Sequence, residues 1–447
     1  MTADGGLFYE YIKMATGVDV QYFSHLNGLT LGNNWGDLIR LLDTCLANGL
    51  PLTSITSASI DAQGDITLSL YAAHNCMLFQ IIELTGFTNV SIDGVSRQVN
   101  GKYRIKGVPA ANQLILKGIA RTDANPTVVN LIGIGAAKLA SLGYEIIFRD
   151  TNDVKRVYRA KNPRAEHPFI RVDETISDGA NNYTSTFVKY AMVGLIENMT
   201  HIDDYADPTK LQLPLDITDF TKNWKINGTG NNVVRGWAKW YWASGAGIRN
   251  GGSVQNYPPP NGNRKFTICG DSDAFYLLTP WVVVDDSYKV LYGCGVYNNS
   301  LNADIVPPWF LFAPANINNA VTQDTPTKGK SPLLYGDNER KFIVPTYDVV
   351  TRIKNHVYCN PIMLDNYTGM PASPLTATSL AALEIPMYDE NAMLRGALKH
   401  VCYAGNNLQA KIVTTPMIAD NSMYVADSSL SYGNNLGGLY FYLGELE

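Results

Sequence analysis

Three aspartate pairs, Asp203/Asp204, Asp271/Asp273 and Asp285/Asp286, come closest in residue type to a catalytic set. Glycoside cleavage needs two carboxyl groups, one giving a proton and one acting as base or nucleophile. Each pair also lies beside turn-forming residues, where aspartate bonds to its own backbone, and that role is the one expected for all three. His201 with Asp203 and Asp204 supplies the atoms of a metal site. No His or Cys cluster accompanies it, and His25, His74, His167, His356 and His400 are dispersed. A serine nucleophile would need a Gly-x-Ser-x-Gly elbow, which is absent. Residues 131–138, Leu-Ile-Gly-Ile-Gly-Ala-Ala-Lys, begin like a dinucleotide fingerprint. Lys138 stands where the third small residue belongs and no strand-helix alternation surrounds it, so a glycine-lightened turn is expected. The expectation is a non-enzyme with no cofactor and no metal.

The remaining residues with a distinctive chemistry are aromatic. Residues 235–242 read Arg-Gly-Trp-Ala-Lys-Trp-Tyr-Trp, and strand alternation puts Ala238, Trp240 and Trp242 on one side and Trp237, Lys239 and Tyr241 on the other. A half-solvated strand has one polar face. This one is expected to pack on two sides or to meet another chain. Trp237, Trp240, Tyr241 and Trp242, with Tyr257 from the Gly/Asn/Pro-rich loop 244–263, are the candidate contacts for a neighbouring subunit, or for a host receptor or glycan.

The elements that would position these residues are mostly strands. One helix is expected from Asn33 or Asn34, either of which could cap it, with Trp35, Leu38, Ile39, Leu42, Cys45 and Leu46 on one face; Gly49 ends it and Pro51 prevents its resumption. A shorter helix is expected at Leu7–Met14. Period-two runs then pair as hairpins: Ser54–Ile60 with Asp65–Tyr71, Lys102–Gly107 with Gln113–Lys117, and Tyr144–Arg149 with Val154–Arg159. Further strands are expected at Cys76–Leu84, His167–Glu174 and Thr186–Met199. Pro208 and Pro214 mark a linker, with a boundary near 210. Short strands with Pro/Gly/Asn connections follow, including Val282–Val284, interrupted by a helix at Asn391–Val401. The expected class is mainly β (α+β): an arm over 1–30, a helix-plus-hairpins module over 31–210, and a β-sandwich-like domain with long loops over 211–447.

With 46% hydrophobic residues in 447, the chain has ample material for large cores. Its charged fraction of 17% is low, and the formal net charge of -5 comes without a Lys/Arg cluster, so direct nucleic-acid binding is not expected. No apolar run is long enough to cross a bilayer, and Met1–Glu10 lacks the pattern of a signal peptide; a soluble chain made in the cytoplasm is expected. Six scattered cysteines without a Cys-x-x-Cys pair read as free thiols in a reducing compartment.

In consistent order, the 41–49 helix end, Asn100–Ile105, Leu142–Glu145, Asp150–Arg159, Phe169–Glu174, Glu197–Asp204, Phe266–Tyr276 and Val290–Gly293 resemble a structural module of tailed-bacteriophage tail proteins. Over roughly residues 30 to 310 the chain is similar to the noncontractile tail-sheath proteins of the Schitoviridae, short-tailed phages that package their own RNA polymerase. The resemblance implies a virion structural protein coating the tail, with copies of itself and other tail proteins as partners. It brings no catalytic residues, and the short apolar runs lead to no expectation of membrane insertion. Host adsorption, through a bacterial outer-membrane receptor or a glycan, is the alternative role.

Overall fold

The structure is a computed structural model that describes residues 19–92, 94–119, 121, 126–175, 189–215, 220–221, 223–224, 238–243, 259–280, 289–300, 306–312, 333, 342–346, 356–362, 382–404, 414–419, 421–430 and 436–446. The expected Leu7–Met14 helix and Val282–Val284 strand lie outside them. Among the described residues the chain is mainly β, with antiparallel sheets and one short α-helix. The arm expected over 1–30 contains a strand, β1 (Gln21–Ser24), which pairs 240-odd residues downstream in sequence, Gln21 opposite Gly270.

Helix α1 (Asp37–Leu42) widens into a π-turn over Asp43–Asn48 and ends at Gly49, whose φ of 74° is open to glycine at no steric cost. The expected apolar face is inside: Leu38, Ile39, Leu42, Cys45 and Leu46 are buried. The N-terminal cap differs from expectation. Neither Asn33 nor Asn34 provides it; the backbone amides of Gly36 and Ile39 donate to the carboxylate of Glu174, 2.7 Å from Ile39. The buried carboxyl of a distant strand accepts these first amides and does the work of a local cap.

A small barrel follows, built from β2 (Leu50–Pro51), β3 (Ile55–Ile60), β4 (Ile66–Leu70), β5 (Ile81–Phe87), β8 (Gly101–Ala110), β9 (Gln113–Leu116), β10 (Val129–Asn130) and β11 (Gly133–Leu139), with a side hairpin of β6 (Val90–Ile92) and β7 (Val95–Arg97). The hydrogen-bonded order is β10-β3-β4-β9-β8-β5-β11-β2. Because β10 and β11 are two halves of one stretch, the first bonded to β3 and the second to β5, the order closes on itself. The Leu131 amide reaches the Ala58 carbonyl at 2.9 Å, and the Thr88 amide reaches Ile132 at 3.0 Å. Alternate residues fill the inside, with Leu68, Leu84, Leu114 and Leu116 fully buried. The glycine-lightened turn expected at 131–138 is therefore corrected to a strand. Gly135 lies under the Phe87 ring, which occupies the space a Cβ would take.

The second sheet comprises β12 (Tyr144–Arg149), β13 (Lys155–Ala160), β14 (Phe169–Asp173), β15 (Lys189–Ile196), β16 (Gln212–Leu213) and β17 (Lys239–Ala243). β15 pairs with β14, β16 and β17, so hydrogen bonds run across residue 210.

The largest sheet contains β1, β18 (Thr267–Gly270), β19 (Ala274–Pro280), β20 (Lys289–Val296), β21 (Asn298–Asn299), β22 (Trp309–Phe312), β23 (Phe342–Pro345), β24 (His356–Pro361), β25 (Leu383–Asp389), β26 (Leu394–Tyr403), β27 (Thr415–Ala419), β28 (Ser422–Leu430) and β29 (Leu436–Glu445). It folds over on itself. Tyr276 of β19 packs on Phe441 of β29, and β21 pairs with β26. The helix expected at Asn391–Val401 is overturned: this segment is most of strand β26. Gly396 (φ 136°) and His400 (φ 61°) interrupt its alternation, so buried positions fall at 395, 397, 398, 400 and 401, a spacing that imitates a helical face.

Candidate functional site

Strand β17 is the junction of the second and third sheets. Its backbone pairs with β15, Tyr241 opposite Tyr190 and Trp240 opposite Ala191. Its side chains reach the other sheet: Trp240 stacks on Tyr292 at 5.7 Å between centroids, meets Phe275 edge-on at 5.8 Å, and donates from Nε1 to the Phe312 carbonyl at 2.7 Å. The Tyr241 amide donates to the Tyr292 hydroxyl at 3.0 Å. Trp242 meets Trp35 edge-on at 6.1 Å, which links the residues leading into α1 to the same seam. Such ring pairs add about 0.5–1.5 kcal/mol each beyond the area they bury. The candidate contacts Trp240, Tyr241 and Trp242 are thereby corrected to core residues, since all three are buried within the chain and offer nothing to a partner. The two-sided packing expected of this strand is what the fold uses. Trp237 and Tyr257 lie outside the described residues.

The Asp271/Asp273 pair sits in the β18–β19 turn. Asp271 accepts the backbone amides of Asp273 (2.8 Å) and Ala274 (3.1 Å), the self-bonded turn expected from sequence. Asp273 reaches beyond its own sheet. Its Oδ1 accepts from His167 Nε2 and Arg164 Nη2, both at 2.8 Å, and its Oδ2 accepts from Lys399. His167 Nδ1 accepts the Arg164 amide at 3.0 Å, so the neutral ring carries its proton on Nε2, facing Asp273. Burial pushes the Asp273 carboxyl up in pKa, but His167, Arg164 and Lys399 outweigh it and hold it well below the usual carboxylate range. Burial also opposes ionisation of Asp271, and the neighbouring His400, 2.9 Å away, lowers it past that cost. Two carboxylates that both stay ionised provide no general acid. Their lone pairs are committed to a clamp between the β13–β14 loop, the β18–β19 turn and β26.

Asp203 and Asp204 are committed in the same way. Asp203 accepts from Arg171 Nη2 at 2.9 Å, and that guanidinium also bonds Asp173 and stacks over Trp224 at 4.4 Å. Asp204 accepts from Lys210 and from the Thr200 and His201 segment, closing a turn rather than facing an ion with His201. Among the described residues no three His, Cys, Asp or Glu side chains are placed to hold a metal ion. Asp285 and Asp286 lie outside those residues. All six cysteines are free; five are buried, and burial pushes the thiols of Cys76 and Cys402 up to about 12.

Sequence reasoning missed two buried ion pairs and one buried arginine–carbonyl tie. Lys289 pairs with Asp427, both without exposed side-chain surface, and Thr267 donates to Asp427 at 2.6 Å. Arg395 bonds Asp389 at 2.9 Å and the Pro345 carbonyl at 2.7 Å. Arg104 in the barrel donates to the Leu443 carbonyl at 3.0 Å. The available signal was a charge inside an apolar strand, as at Arg171 and Lys289, which must find a partner when both faces are covered. Which partner it finds is set by the fold.

No protein-family model matches the chain, and no curated protein sequence matches it. Among solved structures it is similar to the phage phi92 endosialidase, at 9% identity over 89% of this chain and 52% of that one, with a TM-score of 0.13. The chain thus spans about half the length of that protein. A superposition of that quality decides neither fold nor function. No helix among the described residues is long and apolar enough to cross a membrane.

Proposed function

We propose that the chain is a structural subunit of a bacteriophage tail, a noncontractile tail-sheath protein whose copies form a sleeve around the tail. The observation that carries this reading is the use made of the residues able to do chemistry. Asp271 and Asp273, one of the three aspartate pairs, are saturated by backbone amides, His167, Arg164 and Lys399. Polar side chains spent on holding sheets together suit a shell component, which carries load and turns over nothing. The ordered motifs quoted for the tail module add to this support, and several of them fall on paired strands: residues 144–145 in β12, 155–159 in β13, 169–173 in β14, and 290–293 in β20. The adsorption alternative loses Trp240, Tyr241 and Trp242, which are buried.

Chemical cross-linking of intact particles followed by peptide identification tests the reading. Links from this chain to its own copies and to other tail proteins are expected. Particles in which it forms neither kind of link overturn it.

A further inference from the structure

We infer that Lys289 and Asp427 become joined by an isopeptide bond, an amide from Lys289 Nζ to the Asp427 carboxyl carbon that forms within the folded chain. Such a bond is independent of the subunit reading above. The two residues lie 138 apart in sequence, Lys289 at the start of β20 and Asp427 within β28. These strands are not neighbours in the hydrogen-bonded order of the largest sheet, so the pair meets where that sheet folds over on itself, and a covalent tie there would fasten one layer to the other.

The surroundings suit an amide better than an ion pair. Among the ion pairs of the described residues, this is the one in which neither side chain has exposed surface. An ammonium carries three N–H donors, and among the described residues that of Lys289 meets a single acceptor, Oδ1 of Asp427. Donors left unbonded where water is excluded make a buried charge costly. An amide nitrogen keeps one N–H and no charge. Arg395 with Asp389, the comparably buried pair, differs on both counts: its guanidinium stays charged and does not attack a carboxyl, and it has the Pro345 carbonyl as a second acceptor. The Asp427 carboxyl is also held in place. Thr267 Oγ1 donates to Oδ2 at 2.6 Å, the Ser428 amide donates to Oδ1 at 2.7 Å, and the buried Thr414 hydroxyl bonds that of Thr267.

The atoms balance without a co-reactant. The Lys289 ammonium passes one proton to Oδ1, which leaves a neutral amine beside a carboxylic acid. The amine lone pair forms the Nζ–Cγ bond, Thr267 stabilises the negative charge that gathers on Oδ2, and a second proton moves from nitrogen to Oδ1. The Cγ–Oδ1 bond then breaks and Oδ1 departs as water, while Oδ2 remains as the amide carbonyl. Nothing is oxidised or reduced, and a site that excludes water protects the product from hydrolysis.

Intact-mass spectrometry of the purified, folded full chain, denatured just before measurement and followed by peptide mapping, tests the cross-link. Wild type is expected to weigh one water less than its sequence, and its map to contain a branched peptide joining the segment with Lys289 to the segment with Asp427. Lys289→Arg keeps a cation opposite Asp427 and is expected to show the full mass. Wild type at full mass, with Lys289 and Asp427 recovered in separate linear peptides, overturns the inference. So does a lost water that the map places elsewhere in the chain.

Discussion

Glu174 is the residue on which the start of α1 depends. It is buried, it faces the helix amides of Gly36 and Ile39, and burial pushes its pKa up to about 8 against the pull of those two amides. A carboxyl that holds its proton more tightly when folded loses stability as pH rises, here from the unfolded value near about 4.3 up through about 8, by on the order of 4 to 5 kcal/mol. Thermal melts from acidic to basic pH should show this decline in wild type. Glu174→Gln should flatten it: the variant is less stable than wild type below pH ~5 and gains on it toward basic pH. Asp273 is the opposite case. Its depressed pKa gives stability that is complete above about pH 4 and is lost on acidification below it. Asp273→Asn leaves His167, Arg164 and Lys399 without their anion and should cost about 2–4 kcal/mol in denaturant unfolding, with Arg164 contributing least because it is half-exposed. No change in any polysaccharide-cleaving activity should accompany it.

At the scale of elements, β17 and the barrel's closing strand carry the fold. Trp240→Ala removes a ring held by Tyr292, Phe275 and the Phe312 carbonyl, and should destabilise the chain by about 3–5 kcal/mol, read from the denaturation midpoint. Gly135→Ala should cost about 1–3 kcal/mol through overpacking against the Phe87 ring. A double-mutant cycle with Phe87→Leu should recover part of that cost, and additive effects would contradict the packing account. The hairpins of the first third fall where expected, β3 with β4, β8 with β9, and β12 with β13; in β3, β4 and β9 buried positions alternate with more open ones, while in the largely buried β13 the turn residues Thr151–Asp153 carried the signal. The α1 stripe and its Gly49 stop were legible for the same local reasons. Beyond residue 240 that signal fades. β26 is buried and kinked at Gly396 and His400, and its apolar spacing imitates a helix. The barrel's closure was not legible, because joining β10 to β3 and β11 to β5 is a long-range choice that a glycine-rich stretch does not announce. Of the candidate site, the Asp271 turn could be read from its neighbours. His167 and Lys399, more than 100 residues away from Asp273 on either side, could not.

Across the whole molecule the three sheets share one buried core, and distant parts of the chain complete one another. β1 pairs with β18, and Gln21 bonds the Ile81 and Ala140 carbonyls at 2.9 Å each, joining barrel and large sheet. Residues 211–447 expressed alone would lack β1, β15 and the Arg104 tie to Leu443. Such a fragment should bind a hydrophobic dye and lack a cooperative melt, whereas a sharp native-like transition would show that the second half folds independently. An interlocked, mainly β body whose described acid pairs are committed to structure is suited to repetition in an assembly. The most direct test of the tail-subunit reading is antibody-gold labelling of intact phage particles in the electron microscope. Label repeated along the tail is the expected result; particles whose tails stay unlabelled, while the chain is detected only in the lysate, would contradict it.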